Sequence, residues 1–177
     1  GPYHWVVLTC PGPQVMALAP PESDVHGRAS ALSYRPCWAA MVDFQDQSGP
    51  ALDGIRMEHP ILEWAARDSS KPGRPEGNRW VFHAQPTWSA EHVDRSPEWV
   101  ASAISDAIER VFGCSAGPVS VHRWLYSRAE VSSGPQMCVD DALALGLCGD
   151  GLSGPRVEDA WLSARALIDA IESMGTP

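Results

Sequence analysis

The stretch that most restricts how this chain can fold is Leu147-Cys148-Gly149-Asp150-Gly151-Leu152-Ser153-Gly154-Pro155-Arg156-Val157-Glu158-Asp159-Ala160. An apolar run, Ala142 to Leu147, stops at Gly149-Asp150. Small residues follow, and Val157, Ala160, Trp161, Ala164, Leu167, Ile168 and Ile171 then recur at spacings of three and four. The pattern predicts a strand, a glycine-rich turn and an amphipathic helix. A helix entered through glycines presents free backbone N–H groups and the positive end of its dipole, where an electron-rich ligand edge can dock. Asp150, at the carboxyl end of the strand, can accept hydrogen bonds from sugar-type hydroxyls. On spacing alone the commoner arrangement is an ordinary βα connection with a capping carboxylate.

Upstream, Tyr3 to Thr9 is apolar and β-branched and reads as a buried strand, broken by Pro11-Gly12-Pro13. Gln14 to Ala19 predicts a short helix opened by proline, and Pro20 to Ser33 a connection with room for a helical turn. Five segments then read as strands: Cys37 to Phe44, Gly54 to Glu58, Ile61 to Arg67, Arg79 to Gln85 and Pro118 to Tyr126. Short strands set between Gly/Pro-rich turns imply a mostly antiparallel sheet. One helix interrupts them. Ser96-Pro97-Glu98 combines an N-cap serine, a proline in the first turn and an acid, Val100, Ile104, Ile108 and Val111 make its apolar stripe, and Gly113 ends it. Trp88-Ser89 reads as a helix start. The expected class is α+β, a mostly antiparallel sheet with a covering helix, joined to a strand and a C-terminal helix of another kind.

The bulk properties exclude several functions. At 177 residues, with 44% hydrophobic and 20% charged residues, the chain is globular rather than disordered. A net charge of -9 argues against a broad nucleic-acid surface, and no apolar run approaches the roughly 20 residues of a membrane span. The five cysteines (Cys10, Cys37, Cys114, Cys138, Cys148) include no Cys-x-x-Cys pair, so free thiols in a reducing cytoplasm are the simplest expectation. The six histidines show no paired metal-ligand spacing, and no metal is expected. No Gly-x-Ser-x-Gly elbow or His-Glu-x-x-His helix occurs.

Several motifs occur in a fixed order: Pro11-Gly12-Pro13-Gln14 after the first strand; Pro36-Cys37-Trp38-Ala39-Ala40-Met41; Trp64-Ala65-Ala66-Arg67-Asp68-Ser69-Ser70-Lys71-Pro72-Gly73-Arg74; Val81-Phe82-His83-Ala84 with Trp88-Ser89; His122-Arg123-Trp124; and the Gly149-Asp150 turn. Together, over nearly the whole chain, they resemble the FAD-dependent amine-oxidase-like enzymes, most closely the bacterial renalase-like oxidoreductases. The resemblance implies a division into 1-33, a remnant of a Rossmann-like FAD-binding domain with a connection; 34-135, a substrate domain; and 136-177, the C-terminal flavin-binding motif.

It also implies roles. Gly149 and Asp150 hold the ribityl chain of FAD, and Arg156, Val157 and Glu158 start the helix beneath the flavin pyrimidine ring. His122 lines the cavity in front of the flavin, where it orients or polarises a ring substrate. Trp124, on the same strand face by alternation, stacks on that ring. Lys71 is a candidate to hold a water near flavin N5. Many relatives carry an aromatic residue directly after Gly-Asp, where this chain has Gly151, so a side chain that could wall the substrate site is absent.

No Gly-x-Gly-x-x-Gly follows the N-terminal strand, and the adenine end of the FAD site is not expected in this chain. The chain is therefore expected to be the C-terminal part of a longer enzyme or a truncated relative, with a complementary FAD-binding chain as a partner. An unpaired sheet edge would favour self-association. The implied activity is oxidation of a small amine or a dihydropyridine nucleotide, with hydride transfer to flavin and O2 as acceptor. The alternative is a non-catalytic relative that keeps the sheet as a binding or interaction module.

Overall fold

The computed structural model describes residues 3–44, 52–130 and 133–175. In chain order the elements are β1 (Val6–Leu8), α1 (Gly12–Leu18), α2 (Asp24–Ser30), β2 (Tyr34–Asp43), β3 (Gly54–Arg56), β4 (Leu62–Arg67), β5 (Arg79–Ala84), α3 (Pro86–Glu91), α4 (Pro97–Phe112), β6 (Val119–Ala129), β7 (Cys138–Asp140), β8 (Leu145–Leu147), α5 (Asp150–Ser153) and α6 (Val157–Met174). The class is α+β. The chain forms two compact units: Pro36–Ser127, and a discontinuous one made of the residues up to Arg35 and those from Arg128 onward.

The Pro36–Ser127 unit is built on a five-stranded sheet of order β3-β4-β5-β2-β6, in which β2–β5, β3–β4 and β4–β5 pair antiparallel. Alternation on β5 sends Trp80, Phe82 and Ala84 to one face, where they share a core with Trp38, Ala40 and Val42 of β2 and with α4. Phe82 meets Phe44 and Phe112 edge-on, at ring-centroid distances of 6.4 and 5.9 Å. The ends of α4 follow their sequence signals. Ser96 Oγ accepts from Trp99 N–H, and Gly113, at φ +70°, takes the left-handed turn that a Cβ disfavours. The stripe is shifted from the expected one: Ala107 is buried and Val111 lies 40% exposed, because Ala107, not Val111, falls on the arc that meets the sheet.

The discontinuous unit carries a three-stranded mixed sheet, β1-β8-β7, with β1 parallel and β7 antiparallel to β8. Its core joins Val15 and Ala19 from α1, Val25 and Ala29 from α2, and Leu32, Leu147 and Leu152. The two short helices come close at Gly12, where a Cβ would lie 2.5 Å from the Ala29 carbonyl oxygen. Gly146 plays the same part for α6, since a Cβ there would press on Leu167 at 3.0 Å.

Three sequence expectations need correction here. β1 is an edge strand, not a buried one: Val6 and Val7 are exposed because, among the described residues, only β8 pairs with it. The apolar run Ala142–Leu147 is a strand only from Leu145. Asp140, buried, accepts from Leu143 N–H, and Ala144 adopts φ +50°, so the run first turns and makes a β7–β8 hairpin that its composition does not reveal. Finally, of the apolar pattern on α6 only Leu167 is buried, together with Ser163, while Val157, Trp161 and Ile168 face outward.

Candidate functional site

The Gly149-Asp150 turn lies at the carboxyl end of β8, beside parallel β1. Cys148 N–H donates to the Leu8 carbonyl and so extends the pairing to the edge of the turn. Gly149 then adopts φ +147°, a conformation that a side chain would oppose, and its N–H donates to Ser163 Oγ at 2.9 Å. Ser163, fully buried on α6, donates its own hydroxyl hydrogen bond to the Gln136 carbonyl at 2.5 Å. One hydroxyl thus ties the turn to the long helix and to the segment before β7. Asp150 opens α5, a single turn of four residues closed by a bond from Gly154 N–H to the Asp150 carbonyl, and its side chain is half-buried.

The space beside Gly151 is taken. A Cβ there would run into Tyr34 Oη, and would lie 3.1 Å from Tyr34 Cζ and 3.3 Å from Leu32 Cδ1. Tyr34 Oη accepts from Gly12 N–H at 3.2 Å. Burial raises the pKa of this phenol and so disfavours its ionised form; the Gly12 N–H opposes the rise, and the charges of Asp150 and Cys10 add to it. The cavity among Thr9, Cys10, Tyr34, Cys148, Asp150 and their neighbours amounts to about 10 Å³, room for one water at most.

Gly149-Asp150-Gly151-Leu152-Ser153-Gly154 also has the spacing Gly-x-Gly-x-x-Gly, between a strand and a helix, which a reading confined to the N-terminal strand passes over. The geometry does not suit a pyrophosphate. The second glycine of such a loop leaves its Cβ space to the phosphates, and here Tyr34 fills that space. The third glycine faces Asp159, whose Oδ2 would be 2.6 Å from a Cβ, and Asp150 adds a further carboxylate to the same loop. These three glycines serve chain packing around a carboxylate.

At the start of α6, Arg156 is the N-cap residue, and its N–H donates to Asp159 Oδ2 at 3.1 Å. Arg156, Val157 and Glu158 are all exposed, Val157 at 90%. Glu158 and Asp159 in the first turn already answer the positive end of the dipole, which leaves less of it for an anionic ring. The expected strand-turn-helix therefore contains an extra helical turn, α5, set off from α6 by Gly154-Pro155.

In the other unit, His122 and Trp124 lie together as strand alternation predicts, with ring centroids 4.3 Å apart at 62°, and both are exposed on β6. Lys71 is not part of that pair. Its ammonium is held by Asp68 at 3.1 Å in the turn after β4, and two strands, β5 and β2, separate β4 from β6. Lys71 and Arg74 hold the Asp68 carboxyl below its ordinary range. His83, half-buried against Trp64 at 4.9 Å, is shifted by burial toward its neutral form. Sequence reasoning missed Tyr34 and Ser163. A Tyr-Arg-Pro at the head of β2 carries no local signal for Tyr34, and a serine on the inward side of the α6 period is the one available hint for Ser163. Among the described residues no group of three or more His, Cys, Asp or Glu is gathered as a metal site requires, and no helix is long and apolar enough to cross a membrane.

No family model matches the chain. Among solved structures it is similar to the crystal structure of a "Putative protoporphyrinogen oxidase" from Exiguobacterium sp. 255-15, with a TM-score of 0.68 and 20% sequence identity over 96% of this chain and 41% of that one. The chain thus spans less than half the length of the protein it resembles. What the two share at this identity is the fold alone.

Proposed function

We propose that this chain supplies the ribityl-binding turn and the substrate sheet of an FAD-dependent oxidase, and that a separate dinucleotide-binding segment supplies the rest. The observation that carries the reading is the setting of Asp150. A half-buried carboxylate stands at the carboxyl end of β8, next to a parallel strand, between two positions that lack side chains. A carboxylate acceptor suits a polyhydroxyl chain, and crevices outside the carboxyl ends of parallel strands are where α/β sheets bind ligands. The likeness in fold to a protein named as an oxidase supports the reading.

In this proposal Asp150 accepts from ribityl hydroxyls, and Gly149 keeps their path open. Arg156 offers its guanidinium to the electron-rich edge of the pyrimidine ring, flanked by Val157 and Glu158. His122 and Trp124 hold the substrate, the indole by stacking and the imidazole by donating or accepting one hydrogen bond. Lys71 is given no role, because Asp68 holds its ammonium. The chemistry that FAD supplies when bound is a two-electron oxidation with O2 as the acceptor, yielding hydrogen peroxide. A small amine or a dihydropyridine nucleotide, the substrates of renalase-like enzymes, fits a site of one ring-stacking and one hydrogen-bonding group.

The second reading, a non-catalytic interaction module, is favoured by the closed cavity beside Asp150 and by the apolar residues left open on α6. A flavin titration separates the two. FAD absorbance and fluorescence are followed with this chain alone, with a separately produced dinucleotide-binding half added, and with Asp150→Ala in place of the native chain. Binding that needs both halves and weakens about tenfold or more in Asp150→Ala, the loss of charge-assisted hydrogen bonds, supports the oxidase reading. Absence of binding in every case leaves the interaction module.

A further inference from the structure

We propose that Tyr34 is the positioning residue of the Gly149-Asp150 turn, and that residues 34 and 151 form one steric unit in which the tyrosine hydroxyl leaves no room for a side chain at 151. The inference rests on the reading of Asp150 as the ribityl acceptor and adds to it the residue that sets how that carboxylate is presented.

Three observations converge on Tyr34. Its hydroxyl occupies the volume that any side chain at 151 would need, and the ring carbon Cζ and Leu32 Cδ1 close the space behind it. The phenol is not free to swing away. It accepts from Gly12 N–H, and Gly12 is itself pinned, since even a methyl group there would meet the Ala29 carbonyl at 2.5 Å. The same phenol lies close enough to Asp150 and Cys10 for their charges to act on it. Tyr34 therefore connects α1, β2 and the first turn of α5, and the residue carried on that turn is Asp150.

The consequence for binding is mechanical. Packed interiors do not absorb an added methyl group without displacement, and the neighbours of Gly151 are a ring anchored by a hydrogen bond and a leucine of the core. A side chain at 151 must push the phenol or the turn, and moving the turn re-aims the Asp150 carboxylate. Tyr34 acts through Asp150 and touches no reacting atom, so it is not a catalytic residue.

The test uses the full chain with the dinucleotide-binding half added, and four variants: Gly151→Ala, Tyr34→Leu, the double variant Tyr34→Leu/Gly151→Ala, and Asp150→Asn. Gly151→Ala is expected to weaken FAD binding about tenfold, the binding equivalent of a mild overpacking cost. The double variant is expected to recover affinity to within about threefold of wild type, because leucine vacates the position of the hydroxyl. Thermal unfolding is measured beside it. A purely structural role would lower the melting temperature of Gly151→Ala, leave the affinity of the folded protein unchanged and give no rescue. Equal affinities for Gly151→Ala and wild type, or a double variant as weak as Gly151→Ala, would overturn the proposal.

A second measurement does not depend on flavin. The phenol is titrated by its ultraviolet difference absorbance, with Tyr34→Phe identifying the band among Tyr3, Tyr34 and Tyr126. Removing the Asp150 charge is expected to lower the titration midpoint of Tyr34. A midpoint that does not move places Tyr34 away from the carboxylate and also overturns the proposal. If wild type binds no flavin while Asp150→Asn still shifts the phenol, the ribityl reading fails and the grip of Tyr34 on the turn stands.

Discussion

Trp80 and Phe82 on β5 and Ile104 and Ile108 on α4 are buried to within 1% of completeness, whereas Val6 and Val7 on β1 and Val157, Trp161 and Ile168 on α6 keep between 39% and 90% of their surface open. The first group belongs to the Pro36–Ser127 unit and the second to the discontinuous one. Both have the hydrophobic periodicity of buried elements. The difference is one of supply: among the described residues the five-stranded sheet has its own covering helix and a core of sixteen buried residues, while the three-stranded sheet shares a core of seven with three short helices. Self-sufficient packing marks the five-stranded sheet as an independent body. The other unit leaves apolar surface open on a regular helix and on a sheet edge.

The largest effect that can break this comparison comes from the better core. Phe82→Ala is expected to cost about 3–5 kcal/mol, the range for emptying an aromatic site. Hydrogen exchange should show the loss of protection confined to 36–127; if β8 and α6 open with it, the units are not independent. Next comes the tie that holds the Gly-Asp turn. Ser163→Ala leaves Gly149 N–H and the Gln136 carbonyl without their shared partner and is expected to cost about 1–3 kcal/mol. Its mark is faster amide exchange at Gly149 while β5 stays protected.

Much of the first unit is legible in the sequence, because its signals are local. The Ser96-Pro97-Glu98 start and Gly113 stop of α4 stand in the structure, as do all five strands to within a few residues. His122 and Trp124 fall together because alternation in a strand is a local rule. What escaped depends on contacts made across long separations. Val6-Val7 has the composition of a buried parallel strand, and nothing in it tells that only one neighbour is present. The β7–β8 hairpin has no Asn-Gly or Gly-Gly to announce it; Asp140 and the left-handed Ala144 make the turn instead. Gly151 looks like a missing wall in the sequence, and in the structure it is the space into which Tyr34 fits, a pairing across 117 positions that no local pattern contains. The same limit explains Arg156 and Val157, placed on the correct helix but with no sequence sign that they face solvent.

Smaller effects sharpen the contrast. Ile168→Gln lies on the open face of α6 and is expected to change stability by no more than about 0.5 kcal/mol. Its effect should be seen in association with the added dinucleotide-binding half, measured by sedimentation; unchanged association would remove α6 from the covered surface. The smallest effect is a matter of pH. Burial pushes the Cys37 thiol up to about 11, against hydrogen bonds with Ser127 and the Ala84 carbonyl that act the other way. The folded chain then keeps this proton to a higher pH than the unfolded chain, whose thiol titrates near 9.0. Between about 9 and 11 the folded state holds more protons, so stability falls as pH rises through that window and is unaffected by this group below it. Alkylation of Cys37 at pH 8 should run about 100-fold slower than that of a free thiol, since the thiolate is the reactive form; a rapid reaction would show the core around β2 to be open.

The chain leaves the discontinuous unit between Arg35 and Pro36, inside β2, and returns between Ser127 and Arg128, inside β6, and these two strands are neighbours in one sheet. Ninety-odd consecutive residues are therefore threaded into the other body through a doorway two strands wide. A segment with that topology can be lengthened, shortened or replaced wholesale during descent without disturbing the order of the elements around the Gly-Asp turn, provided the two strands at the doorway stay in register. Lineages that keep the discontinuous body and exchange the inserted sheet would vary one unit while inheriting the other unchanged.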